Sequence, residues 1–458
     1  MTTAATDHKP HGDASQARPT LQDAIEAAGS PVRLLWTPGV EPWTVPVMQP
    51  EFAGWSAEQQ AWRTSVALFD LSFHMFDTVF EGPDATRALS QTSANDFDRF
   101  AIGQAKQFVP VAADGNIIVD GILLREAENR YILTGVPASQ NWVAYHARAE
   151  GLDVEVTCDP DSSVRRDRDP VLFRFQIQGP RAGEVGERLF DEPLPATKFF
   201  HSTAATIGGH PVRVLRHGMA GQAGYEIIGD FAGHDAVREA ILTAGEPADI
   251  APVGGKAYFT NGVESGWIPT PTPAIYTDPG LADYRRELSA FSYEGKKPLS
   301  GSFYSDDITD YYVSPWELGY GRSIHLEHDF IGREALRDAK DRVRRRRVTL
   351  VLDPAGTTAA LGSADGYFNG YGRYRIERNG KLVGMTFWTS RIGPLGRVLS
   401  LSLVDAEAAE PGTEVEVVWG EHPGHGVAPE ADLGFPRIRA VVHGSPYDHF
   451  ARTSYRAD

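Results

Sequence analysis

The chain has 458 residues and a formal net charge of −17 at pH 7, which argues against a general nucleic-acid binder. Its single cysteine, Cys158, excludes an intramolecular disulfide framework and any cysteine-rich zinc site. It has no apolar run of about 18 or more residues, and the opening "MTTAATDHKPHGDASQARPT" lacks an apolar h-region. The expected class is therefore a cytoplasmic globular protein of two or three domains, with no membrane partner.

Residues 1–20 are polar and read as a mobile tail. In "LQDAIEAAG" the pattern turns helical, with Leu21, Ile25 and Ala28 on one face. "EFAGWSAEQQAWRTSVALFDLS" reads as a helix running into a strand, and "HMFDTVFEGPDATRALSQ" as strand, turn and helix. "AKQFVPVAADGNIIVDGILLREAENRYILTG" reads as three strands with turns at "ADGN" and "EAEN". "PASQNWVAYHARAEG" is a helix closed by glycine, and "VLFRFQIQGPRAGEVGERLF" repeats the strand–turn–helix theme. "ATIGGHPVRVLRHGMAGQAGYEIIG" returns to strands before the helix "HDAVREAILTAG".

"GGKAYFTNGVESGWIPTPTPAIY", Gly254–Tyr276, fits neither strict alternation nor helical spacing, and its prolines forbid a long element after Trp267. The basic run "LRDAKDRVRRRRVTLVL" reads as a solvated helix end and linker. After it, "YGRYRIERNGKLVGMTFWTS" and "TEVEVVWG" are strand-like. The expected division is residues 21–340 as a two-lobed region and 341–458 as a small β-barrel-like domain. The alternation of βαβ and hairpin units gives an α+β class.

Common catalytic hardware is missing. No G-x-G-x-x-G follows a strand, no Gly-Lys pair is followed by Ser or Thr, and neither H-E-x-x-H nor G-x-S-x-G occurs. His325 and His328 in "HLEHDF" could face a metal together, but without further ligands they read as surface histidines, and no metal is expected.

Four stretches retain chemical interest. His74 sits between apolar residues in "LFDLSFHMFD", where a core histidine is the plainer reading. Asp120 interrupts "GNIIVDGILL", either as a strand-end turn residue or as a buried acid that wants a partner or ligand. Glu226 follows Tyr225 in "RHGMAGQAGYEIIG", where Gly221 and Gly224 allow close approach of a backbone or ligand. The fourth is the aromatic stretch around Tyr258 and Trp267.

In order, "FHM", "GNIIVDGILL", "FQIQGP", "GYEI", "VESGW", "DFIGREAL" and "GMTFWTSRIGPLGRVLSLSLV" resemble the glycine-cleavage aminomethyltransferase superfamily, over about residues 50–440. The resemblance implies a three-domain, cloverleaf-like fold that binds tetrahydrofolate around a central hole. "WRTSVALFD", "AKQFVPV", "LRHGMAG", "ESGWIPTPTPAIYT" and "DYYVSPWELGYG" further resemble the tetrahydrofolate-dependent aryl O-demethylases. Tyr258 stands where the aminomethyltransferases carry an arginine, which sets glycine cleavage aside.

That resemblance implies transfer of a methyl group from a methoxylated aromatic acid to N5 of tetrahydrofolate. Syringate is the implied donor, with 3-O-methylgallate or vanillate as further donors. Tyr258, or His74 relayed through it, is assigned to the ether oxygen. Glu226 is assigned to the N–H edge of the pterin, with Trp267 packing on the folate and Gln176, Asp120 and Tyr225 on the same side. Leu71, Val136 and Trp43 fall to the aromatic substrate. The first two are apolar where vanillate-type relatives carry glutamine and arginine, which leaves the substrate carboxylate without a partner. A demethylase of a sulfonium or N-methyl amine, or a folate-binding protein without turnover, stays open as an alternative.

Overall fold

The computed structural model describes residues 18–159 and 168–456. Residues 1–17 of the expected tail lie outside the described residues. At its end, Thr20 caps the helix Leu21–Ala28 and exchanges hydrogen bonds with Asp23, and Leu21 and Ile25 are buried as the spacing predicted.

Three sheets organise the chain. The first runs Ile250–Val253, Val66–Asp70, Leu172–Gln178, Gly224–Asp230, His210–Leu215, Ser202–Ile207 in spatial order. Only the first pair is parallel. Strand alternation gives this sheet two unlike faces. Phe173, Phe175, Ile177 and Ile227 join an apolar cluster with Val185 and Leu189 of the helix Ala182–Leu189 and Val237 and Ile241 of the helix His234–Gly245. Gln176 and Glu226 are register partners and belong to the other face.

The second sheet is antiparallel, in the order Ala105–Phe108, Gly121–Ala127, Arg130–Gly135, Phe76–Glu81, Glu155–Asp159. The helices Ala85–Gln91 and Pro137–Ala149 pack on it through Leu89, Val143 and Ala147. The turns at 113–116 and 126–129 fall where the sequence put them. All three expected strands form, and the middle one begins at Gly121, so Asp120 directly precedes its strand.

The third sheet closes on itself. Arg345–Leu352, Arg397–Asp405, Lys381–Ile392, Arg375–Arg378, Glu414–Val418 and Arg437–His443 form a six-stranded antiparallel barrel, with Asn369–Gly370 added at Lys381–Ile392. The basic run is therefore not a linker: its arginines open a barrel strand. Arg345 is fixed by Glu317 at 2.7 Å, while Arg346 stays exposed. After the barrel the chain turns back. Asp448 N–H donates to the Glu264 carbonyl, and Gly218 N–H donates to the Tyr455 hydroxyl at 2.8 Å. The C-terminal residues thus dock near the first sheet.

The aromatic stretch is not wholly irregular. It makes two one-turn helices, Gly255–Tyr258 and Asn261–Ser265, before the prolines take over. Both are too short for their spacing to register as helical.

Candidate functional site

The strand Leu172–Gln178 carries polar residues at every second position, Arg174, Gln176 and Gln178, all buried. A period of two places them on one face. That row needs partners, and the neighbouring strands provide them. Arg174 Nη1 contacts Glu226 Oε1, and its Nη2 reaches Asp77 Oδ1 and Thr134 Oγ1, each at 3.1 Å. Asp77 and Thr134 belong to the second sheet, so one guanidinium joins the two sheets. Gln176 Nε2 donates to Glu226 Oε2 at 2.6 Å. Burial works against ionisation of Glu226, but Arg174, His217 and Gln176 outweigh it and hold the carboxyl below its ordinary range. Gly224, with φ +155, lets this strand pass the Ile177 carbonyl, where a Cβ would lie at 1.9 Å.

His74 lies in the crossover between Val66–Asp70 of the first sheet and Phe76–Glu81 of the second. Its Nε2 is 2.6 Å from the Tyr258 hydroxyl, with ring centroids 4.9 Å apart. Its Nδ1 is buried and has no partner among the described residues. Burial, opposed by Asp70 and assisted by the Arg174 charge, lowers the His74 pKa to about 4. Burial likewise raises that of Tyr258. At neutral pH the pair is thus an uncharged imidazole and an uncharged phenol. With Nε2–H donating to the phenol oxygen, the hydroxyl proton is free for a third atom. Phe259 packs at 4.9 Å from the Tyr258 ring and Phe69 at 6.1 Å. Trp43, 51% exposed, rests edge-on against Phe259 at 6.2 Å. Leu71 is fully buried in the same cluster as Tyr258.

Asp120 and Trp267, far apart in sequence, meet directly: the indole Nε1 donates to Asp120 Oδ2 at 2.8 Å, and Gln107 Nε2 to the same oxygen at 2.6 Å. Asp120 Oδ1 is buried and makes no hydrogen bond among the described residues, although the buried Tyr320 hydroxyl stands close by. Burial raises the Asp120 pKa to about 6, against the pull of Gln107, Trp267 and Tyr320.

Two other expected residues lie apart from these contacts. Tyr225 projects to the opposite face from Glu226 and packs in the helix-covered cluster beside Phe190, because adjacent strand residues alternate. Val136 is the N-cap of the helix Pro137–Ala149 and packs on the large central core rather than in the Leu71 cluster. His328 Nε2 donates toward the carbonyls of Ser90 and Ser93, both at 3.1 Å. Among the described residues no group of three or more His, Cys, Asp or Glu could hold a metal. No helix of the described residues is long and apolar enough to cross a membrane.

Arg174, Asp77, Gln107 and Phe259 escaped the sequence reading. The signal for Arg174 was available: three polar residues at alternate positions in an otherwise apolar strand demand buried partners.

Comparison with known proteins gives a consistent neighbourhood. Residues 37–271 match the model of the GCVT N-terminal domain. The chain is similar to syringate O-demethylase of a Sphingobium species, 36% identical over 453 residues, covering 95% of this chain and 97% of that one. It is similar to sesamin methylene transferase of a Sinomonas species at 28% identity, covering 87% and 89%. Among solved structures it resembles the glycine cleavage system aminomethyltransferase T from Bartonella henselae, with TM-score 0.58 and 20% identity over 88% of this chain and 91% of that one. That likeness establishes the fold.

Proposed function

This chain belongs to the glycine-cleavage aminomethyltransferase (GCVT) family, and on that footing we propose that it demethylates a methoxylated aromatic acid, with tetrahydrofolate as methyl acceptor. Syringate is the donor favoured by the 36%-identical relative. The observation that carries the reading is the 2.6 Å contact between His74 and Tyr258 inside a wall of aromatic rings.

In the balanced reaction the aryl oxygen–methyl bond breaks and a nitrogen–methyl bond forms. The nitrogen gives up its proton, and the product is a phenol. Tetrahydrofolate supplies the nucleophilic N5. The buried donor set fits such a ligand. Asp120 Oδ1 is an unused buried acceptor suited to a pterin N–H, and Trp267 offers a half-buried ring whose indole is pinned by Asp120. Glu226 is a buried carboxylate kept ionised by Arg174, a second acceptor for N–H groups.

The leaving group is a phenolate, whose conjugate acid in water has a pKa of roughly 10. Burial holds Tyr258 above the ordinary tyrosine value and would raise a phenolate formed beside it in the same direction. We assign the hydroxyl the donation of a hydrogen bond as charge develops on that oxygen. His74 orients it, with its Nε2–H directed at the phenol oxygen. The rest of the catalytic effect comes from holding the methyl group in line between two bound ligands.

The test is incubation with syringate, with and without tetrahydrofolate, with both products quantified. Equimolar demethylated acid and 5-methyltetrahydrofolate are expected, with none of either when folate is omitted and no loss of rate on chelation. Demethylation without folate, or no reaction with any methoxybenzoate, overturns the reading.

A further inference from the structure

A second buried group of polar side chains lies on the barrel side of Tyr258. Asn261 Nδ2 donates to the Tyr258 carbonyl at 2.7 Å. The next residue, Gly262, is pressed against Trp388, whose Cζ3 lies 2.3 Å from where a Cβ would stand. The Trp388 ring lies 5.4 Å from that of Tyr371, and the Tyr371 carbonyl accepts from Arg373 Nη1 at 2.9 Å. A continuous packed path thus joins Tyr258 to Arg373.

At its far end are two basic side chains, neither of them paired with an acid among the described residues. Arg373 is 2% exposed and spends its Nη groups on the carbonyls of Tyr371, Phe387 and Thr270. Its Nε has no partner among the described residues. Lys297 is the C-cap of the one-turn helix Tyr293–Lys296, four residues after Tyr293, and three residues on, the Ser300 carbonyl accepts from Arg373 N–H at 2.7 Å. It is 7% exposed and has neither a hydrogen bond nor an ion pair among the described residues. Burial and the Arg373 charge push its ammonium well below the ordinary lysine range. The Tyr293 hydroxyl, which feels Glu294 and, less strongly, Arg373, is buried and unpartnered as well. Glu294, the nearest acid in sequence, accepts from Asn141 through Oε1 at 3.0 Å, while its Oε2 is buried without a partner among the described residues and burial pushes its carboxyl up toward the neutral form.

A buried ammonium without a counter-ion is costly, and an anion beside it relieves that cost. The surroundings, Tyr371, Tyr293 and Trp388, suit a flat apolar body with one anionic end. Leu71 and Val136 provide no charge for such an end. We propose that Lys297, with the Tyr293 hydroxyl, is the partner of the donor's carboxylate and makes the site selective for aromatic acids over their neutral analogues. This rests on the reading of a methoxylated aromatic acid as methyl donor.

The experiment compares syringate with syringaldehyde, which keeps the ring and both methoxy groups but lacks the carboxylate, at a pH low enough to keep the aldehyde's phenol protonated. Each is assayed with saturating tetrahydrofolate, and syringate binding is also titrated calorimetrically without folate. Lys297→Met is expected to raise KM and Kd for the acid by about ten- to a hundredfold, the worth of a charged hydrogen bond, and to leave the aldehyde within about twofold. Lys297→Arg should recover part of the acid's advantage. Tyr293→Phe, a milder change, should shift the same ratio in the same direction and provides the test should Lys297→Met not fold. Equal losses for both donors, or an unchanged acid-to-aldehyde ratio in a wild-type-active background, overturn the assignment of Lys297 alone. A wild-type protein inactive on both donors overturns the functional reading and this assignment with it.

Discussion

Replacing Tyr258 with phenylalanine removes one hydroxyl and keeps the ring. The contacts with His74, Phe259 and Phe69, at centroid distances of 4.9, 4.9 and 6.1 Å, depend on that ring and should persist. The change deletes the 2.6 Å hydrogen bond and leaves His74 with no partner at either ring nitrogen. The stability loss should be about 1–3 kcal/mol, that of a buried polar group left unsatisfied. The rate should fall further than that loss implies. A preorganised donor aimed at developing negative charge is worth about 10²–10³ in rate. Because the hydrogen bond strengthens only as the phenolate forms, the fall should appear in kcat and leave KM nearly unchanged. The assay is single-turnover methyl transfer with both ligands saturating. His74→Ala should be comparably severe, and the double mutant little worse than either single one if the two act as a unit. A Tyr258→Phe rate within about threefold of wild type, set against that expected 10²–10³, would show that this tyrosine only lines the wall.

Three further outcomes are expected. Glu226→Gln leaves Arg174 paired with Asp77 and Thr134 but removes one charged contact, so stability measured by denaturant unfolding should fall by about 1–3 kcal/mol, and folate titration should weaken more than aryl-acid titration. Asp120 titrates at about 6 against an ordinary 3.8. Between those values the folded chain holds a proton that the unfolded chain has released, so its contribution to stability declines as pH rises through that window. Folate affinity should rise around pH 6, where the folded chain's Asp120 ionises, and Asp120→Asn should abolish that inflection. The double change Leu71→Gln with Val136→Arg should lower kcat/KM for syringate relative to vanillate, and an unchanged ratio would place that selectivity elsewhere.

The elements were legible where local chemistry dictates them: the helix Leu21–Ala28, the turns at 113–116 and 126–129, and the helix after the strand Leu172–Gln178. The long-range pairings were not. Nothing near Asp120 in sequence announces Trp267, and nothing near Glu226 announces Arg174, because sheet register is fixed by contacts that only the folded chain makes. Tyr225 and Glu226 are adjacent yet serve opposite faces, and a single strand offers no sign of which face is the site. Lys296 and Lys297 show the same limit more sharply. One is exposed and the other buried, and their sequence context "EGKKPL" does not distinguish them. His74 and Tyr258 were reached through resemblance, and the 2.6 Å contact adds the geometry that resemblance lacked.

The most direct measurement follows the methyl group itself. Syringate carrying trideuterated methoxy groups is mixed with the enzyme and tetrahydrofolate, and the folate product is weighed by mass spectrometry. Direct displacement at carbon gives 5-methyltetrahydrofolate with all three deuterons, in amounts equal to the demethylated acid. A folate product that has lost deuterium, or demethylation with no labelled folate formed, contradicts direct transfer between two ligands held side by side.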